Sequence, residues 1–241
     1  MALQTFVPRT PVQRTPPPQR VAVVVVDVLE PLRESFSYKY NGRTTCNKRA
    51  VNRGISRLHS LITEVRKFDI PIFFVGTLLE GEPLPKLVGA ADSGGVKVRK
   101  LLTSAFDSPN LPSFARILDF FPRAYPSSLE ETARITHALY DKHRYPRLSD
   151  RLKENGANTL VVCGYATTCC VYATALDAVH LGYRVLTSNQ LMFDATDHNA
   201  PDPKFVRFCM DFYRDKTSYH KTAAGVISAI REITQGGTKV R

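Results

Sequence analysis

Val21-Ala-Val-Val-Val-Val26 is an unbroken apolar run of strand length that stops at Asp27. A β-branched run without polar alternation fits a central parallel strand covered on both faces. From Lys48 to Phe68 the spacing changes. Ile55, Leu58, Leu61, Ile62 and Val65 recur at i, i+3 and i+4, which predicts an amphipathic helix. Pro71-Ile-Phe-Phe-Val75 predicts a second strand, and Arg134-Ile-Thr-His-Ala-Leu-Tyr140 a third that leads into Asp141-Lys142. A short helix over Leu148 to Asn155 closes at Gly156, a residue suited to the left-handed position after a helix. Thr159-Leu-Val-Val-Cys163 is a fourth strand, Val171 to Gly182 a helix, and Tyr183 to Thr187 a fifth strand. Helices near Lys204 to Tyr213 and Thr222 to Ile233 complete the pattern. Strands and helices that alternate in this way predict an α/β fold: a three-layer, doubly wound, mainly parallel β-sheet flanked by helices.

Two stretches interrupt the alternation. Residues 1–19 hold Pro8, Pro11 and the run Pro16-Pro17-Pro18, and read as a disordered, polyproline-like arm. The arm has no apolar core of a secretory signal. Its arginines are only weakly compatible with organellar targeting, so the expected location is cytoplasmic. Residues 80–130 are rich in Gly, Pro and Ser and read as an insertion in a domain spanning 20–236, of the kind that forms a lid or an oligomer contact. At 241 residues and 43% hydrophobic content, the chain is long enough to bury a full core. No apolar stretch approaches the ~18 residues of a membrane span.

The formal net charge is +11, with basic clusters at Lys97-Val-Arg-Lys100 and Lys142-His-Arg-Tyr-Pro-Arg147. No nucleic-acid motif accompanies the charge. It is read as a solvated surface, compatible with an anionic small-molecule substrate, rather than as a nucleic-acid platform. Five cysteines, three of them within 163–170, suggest free thiols in a reducing compartment. They show no C-x-x-C or His-x-x-x-His zinc spacing.

Candidate chemistry gathers at Gly164-Tyr-Ala-Thr-Thr-Cys-Cys-Val171, the junction of a strand and a helix. A cysteine there meets the free N–H groups and positive dipole end of the helix, an environment that favours a thiolate and an oxyanion. Ligands of open α/β sheets bind beyond the carboxyl ends of strands. Asp27, Lys142 and Cys170 fall at three predicted strand ends. They could serve as base, positioning cation and nucleophile. Taken singly, each has a plainer role: a turn cap, a solvated cation, a packing thiol.

The sequence is similar to the isochorismatase-like cysteine hydrolases, which include nicotinamidases, N-carbamoylsarcosine amidases and isochorismatases. Val23-Val-Val-Val-Asp27 resembles the family's first strand and its aspartate. Asn52 and Ile70-Pro-Ile-Phe-Phe-Val75 resemble the next segment. Thr159 to Val171, with Thr174-Ala-Leu-Asp-Ala178 and Gly182-Tyr-Arg-Val185, resembles the nucleophile segment. The resemblance implies a catalytic set of Asp27, Lys142 and Cys170, with Cys169 a spectator. It also implies a cis peptide between Tyr165 and Ala166, and an oxyanion hole from the backbone N–H groups of Ala166 and Cys170. The nicotinamidase metal pattern Asp-x-His is replaced by Gly76-Thr-Leu-Leu-Glu80, so no metal or other cofactor is expected. Asn189 stands where an Asp is frequent. The resemblance further implies a homo-oligomer, dimer or tetramer, acting on a small amide, carbamoyl or related substrate. Vinyl-ether hydrolysis and a non-catalytic scaffold are the alternatives.

Overall fold

In the computed structural model, the described residues are 19–30, 39–40, 43–44, 48–77, 82–92, 95–100, 104–106, 111–113, 134, 138, 146–194 and 203–236. β1 (Val21–Val26) is the hub, buried at every position. Its alternation divides the core. Val23 and Val25 face one layer, and Ala22, Val24 and Val26 face the other. A short antiparallel pair, β2 (Lys39–Tyr40) and β3 (Arg43–Thr44), follows. Next comes α1 (Lys48–Val65), extended by a 3-10 turn over Arg66–Phe68. The chain then runs through β4 (Ile72–Thr77), α2 (Pro85–Ala91) and β5 (Gly95–Lys100). After α3 (Leu148–Glu154) come β6 (Thr159–Tyr165), α4 (Cys170–His180), β7 (Arg184–Ser188) and β8 (Met192–Phe193). The last elements are α5 (Pro203–Lys216), β9 (Ser218–His220) and α6 (Ala223–Gly236).

The main sheet has seven strands in the order β5-β4-β1-β6-β7-β9, with β8 added on β6, and every pairing is parallel. Residues of α1, α2 and α6 join the core on one face, and those of α3, α4 and α5 on the other. The chain leaves β1 towards β4 and β5, then returns to β6 on the opposite side of β1. The carboxyl ends of β1 and β6 therefore feed helices on opposite faces. The crevice between them is the switch point where such sheets bind ligands.

One expected element is placed differently. The apolar pattern predicts a third strand over 134–140, yet Arg134 and Ala138, the residues described there, are helical. The strand beside β4 is β5, inside the stretch read as an insertion, and α2 also comes from that stretch. β5 is GVKVRK, and its charges hide the alternation. Val96 and Val98 pack into the core on one face, while Lys97 and Arg99 on the other pair with Glu82. The N-terminal arm through residue 18 and Lys142 lie outside the described residues.

Gly164 is the tightest point of the crevice. It pairs with Val26, has φ +119°, and a Cβ built on it would stand 2.2 Å from the Val26 carbonyl oxygen. Both the backbone conformation and the contact exclude a side chain. Gly164→Ala is expected to lose at least about 3 kcal/mol, read as a fall in the urea midpoint. An unchanged midpoint would show that β1 and β6 can separate without cost.

Candidate active site

Asp27 follows β1 in the left-handed region, at φ 50°. An aspartate tolerates this conformation better than most residues. Its backbone N–H donates to Val75 O at 2.8 Å, which holds the turn against β4. The residue is 5% exposed. Its Oδ2 lies 2.8 Å from Lys100 Nζ, and its Oδ1 is buried with no hydrogen-bond partner among the described residues.

Lys100 ends β5, two strands from β1 in the sheet order, and is fully buried. Burial alone would lower its pKa, but the charge of Asp27 and its hydrogen bond reverse this and leave it raised. The ammonium is therefore permanently charged at neutral pH. The sequence reading places Lys142 in this role, and Lys142 lies outside the described residues. The lysine that the fold brings to Asp27 is Lys100, because the strand beside β4 is 95–100 and not 134–140. The period-2 pattern of Val96, Val98 and Lys100 carries the signal: the lysine shares the buried face of the two valines.

The third group arrives from β6. The Tyr165–Ala166 peptide is cis. The Ala166 carbonyl accepts from the N–H groups of Cys169 and Val171, at 3.1 Å each, so the loop folds back on the start of α4. Cys169 is the N-cap and Cys170 the first residue of α4, with their sulfurs 4.0 Å apart. With Cys170 donating, the contact raises the Cys170 thiol well above its ordinary value, and burial adds to this. The same contact lowers Cys169, against the effect of burial. Lys100 pulls both thiols down and Asp27 pushes both up, so all four groups share one electrostatic environment. The helix-start argument, taken alone, favoured a thiolate at Cys170. The thiol–thiol contact and burial act against it and raise the Cys170 thiol.

Several contacts fix this arrangement. Tyr213, fully buried, donates its hydroxyl to Thr167 O at 2.7 Å. Asp194 takes hydrogen bonds from the Thr167 side chain and from the backbone of Thr167 and Thr168. On α4, Thr174 donates to Cys170 O at 2.7 Å and accepts from Ala105 N at 3.0 Å. One turn further on, Asp177 accepts from Ser113 N at 3.0 Å and from Ser113 Oγ at 2.5 Å. The chain that leaves Lys100 is thus clamped to the helix that carries Cys170. Sequence reasoning did not assign these roles to Thr174 and Asp177. Polar residues at i and i+3 on an otherwise apolar helix were the available sign. Among the described residues, no group of three or more His, Cys, Asp or Glu side chains is gathered to hold a metal ion. Among the same residues, no helix is long and apolar enough to cross a membrane.

The parallel sheet and the polar site at its switch point define an isochorismatase-like hydrolase. The isochorismatase domain family model matches residues 21–190, and the chain belongs to that family. Among curated proteins none matches it. Solved structures share the fold at low identity. A cysteine hydrolase from Pseudomonas syringae pv. phaseolicola aligns with TM-score 0.59 and 17% identity over 89% of this chain and 93% of its own. N-carbamoylsarcosine amidase from Thermoplasma acidophilum gives 0.52 and 17% over 84% and 96%. MAR1 ribonuclease from Caenorhabditis elegans gives 0.55 and 15% over 92% and 84%.

Proposed function

We propose that the protein is a cysteine hydrolase of a small amide, carbamoyl or related substrate, with Cys170 as nucleophile, Asp27 as proton carrier and Lys100 as the cation that positions Asp27. The observation that carries this reading is the buried, unpartnered Oδ1 of Asp27, whose Oδ2 is already held by Lys100. A buried oxygen without a partner is costly unless chemistry uses it. Here it accepts the Cys170 proton, which a thiol with a raised pKa must lose before it can attack.

In the first step the Cys170 S–H proton passes to Asp27 Oδ1 and a bond forms from Sγ to the substrate carbonyl carbon. The carbonyl oxygen becomes an oxyanion, held by the N–H groups of Ala166 and Cys170. The intermediate collapses, the C–N bond breaks, and the proton on Asp27 goes to the leaving nitrogen. Water then gives a proton to Asp27 and attacks the thioester. The C–S bond breaks, and the proton returns to the sulfur. Wild type and Cys170→Ala, screened against small amides, ureas and vinyl-ether acids, test the scheme. Amide or urea turnover that disappears in the variant supports it. Turnover that survives in the variant but needs Asp27 points to vinyl-ether hydrolysis without a thiol nucleophile.

A second reading rests on the net charge of +11 together with the likeness to the ribonuclease. In that reading the substrate is RNA, bound through a salt-dependent phosphate term. Cleavage of single-stranded RNA that Asp27→Asn abolishes would favour it over the amide scheme.

A further inference from the structure

A cavity of about 360 Å³ opens beside the nucleophile loop, between α1 and the β7–β8 turn. α1 leads from β1 back to β4, so its first half lies at the carboxyl edge of the sheet, the edge that carries Asp27, Lys100 and Cys170. Arg53 and Arg57 line the cavity from one helix face, with Gly54 between them. Neither arginine has an ion pair among the described residues, and Arg53 spends only its Nε, on the Arg49 carbonyl. Like charges four apart on a helix repel, so the pair is unfavourable until an anion joins it. Gly54 has a separate reason to be glycine: a Cβ there would fall 2.3 Å from the Phe193 ring. Its absence lets Phe193 close the floor of the cavity against the helix.

The opposite side explains which anion fits. Asp194 lines the cavity together with Thr167, and its carboxyl is turned to the Thr167–Thr168 backbone. One negative charge on the rim disfavours a dianion. The apolar floor of Phe193 and Met192 favours a ligand with a flat apolar body. Gln190 Oε1 accepts from the Ala223 N–H at 3.2 Å, which fixes the side chain while leaving its amide N–H groups for a ligand oxygen. Thr167 belongs both to this cavity and to the loop that precedes Cys170.

We infer that this cavity is the recognition subsite for a monocarboxylate substrate, its carboxylate on the Arg53 and Arg57 guanidinium groups and its body over Phe193. As a substrate subsite it rests on the hydrolase reading; as a carboxylate site it stands on the cavity alone. Binding and turnover are therefore measured apart. Ligand-observed NMR titrations with sodium benzoate, benzamide and inorganic phosphate are run on wild type, Cys170→Ala, Arg57→Gln and Arg53→Gln/Arg57→Gln. Benzoate should bind wild type and Cys170→Ala alike, and benzamide more weakly. Losing charge-assisted hydrogen bonds should weaken benzoate about tenfold or more in each arginine variant. Both arginines are at least partly exposed, so these variants are expected to fold, and a thermal melt checks this. Benzoate that ignores the arginines, fails to bind, or is outcompeted by phosphate at equal concentration overturns the inference. Absence of amide turnover with benzoate binding intact would overturn the hydrolase reading and leave the carboxylate site standing.

Discussion

Lys100→Met is expected to destabilise the protein by about 3–5 kcal/mol and to abolish turnover. Lys100 is fully buried, Asp27 is 5% exposed, and the 2.8 Å contact between them is the carboxylate's charge compensation. Removing the ammonium leaves a buried carboxylate with one oxygen already without a partner. Most of the loss is the cost of that stranded charge rather than the net worth of the pair. It follows that Asp27→Asn/Lys100→Met should regain more than half of the lost stability while remaining inactive. Urea denaturation of the two variants makes the comparison. A double variant no more stable than Lys100→Met would mean that Lys100 acts through packing of its stem. A fully active Lys100→Met would remove the lysine from the mechanism.

The second large effect separates the adjacent thiols. Cys170→Ala should lower turnover by on the order of 10⁴-fold or more, while Cys169→Ala should retain activity within about tenfold. Their titrations should move in opposite directions, because the sulfur–sulfur contact raises Cys170 and lowers Cys169. In Cys169→Ala the remaining thiol loses the contact that raised it and should alkylate at lower pH than in wild type. In Cys170→Ala the remaining thiol loses its donor and should alkylate at higher pH. Iodoacetamide rates across pH, with mass spectrometry to locate the adduct, read both shifts. Reversed turnover effects would make Cys169 the nucleophile.

The hydrophobic pattern disclosed most of the framework because parallel strands covered on both faces must be apolar throughout. Val21–Val26 and the helical stripe from Ile55 to Val65 have few other solutions. It also points to Asp27, where the first run ends, and to Cys170, at the start of the helix that follows Thr159–Tyr165. Lys100 escaped notice for a physical reason. β5 lies at one end of the sheet order, and its Lys97 and Arg99 pair with Glu82, so its composition is that of a charged segment. Only the two-residue alternation distinguishes the buried lysine from its neighbours. Residues 134–140 are more apolar in pattern and lead directly into Lys142, which makes that lysine the more legible candidate in the sequence. The clamp of Asp177 on Ser113 joins segments 64 residues apart and has no local signature. The Arg53–Arg57 pair was equally hidden, because helical arginines on a basic chain look like solvated surface until a cavity is seen beside them.

The Asp27–Lys100 pair also sets the electrical character of the reaction. A carboxylate and an ammonium at 2.8 Å sum to zero charge in a volume with little water. If the proton of Cys170 moves to Asp27 as the sulfur attacks, that sum is unchanged: one anion is exchanged for another beside the same cation. A thiolate whose proton had left to solvent would instead leave the pocket with an uncompensated negative charge. In the proposed scheme neutrality is conserved through each proton transfer, which is why a protonated Cys170 suits a carboxylate already paired with Lys100.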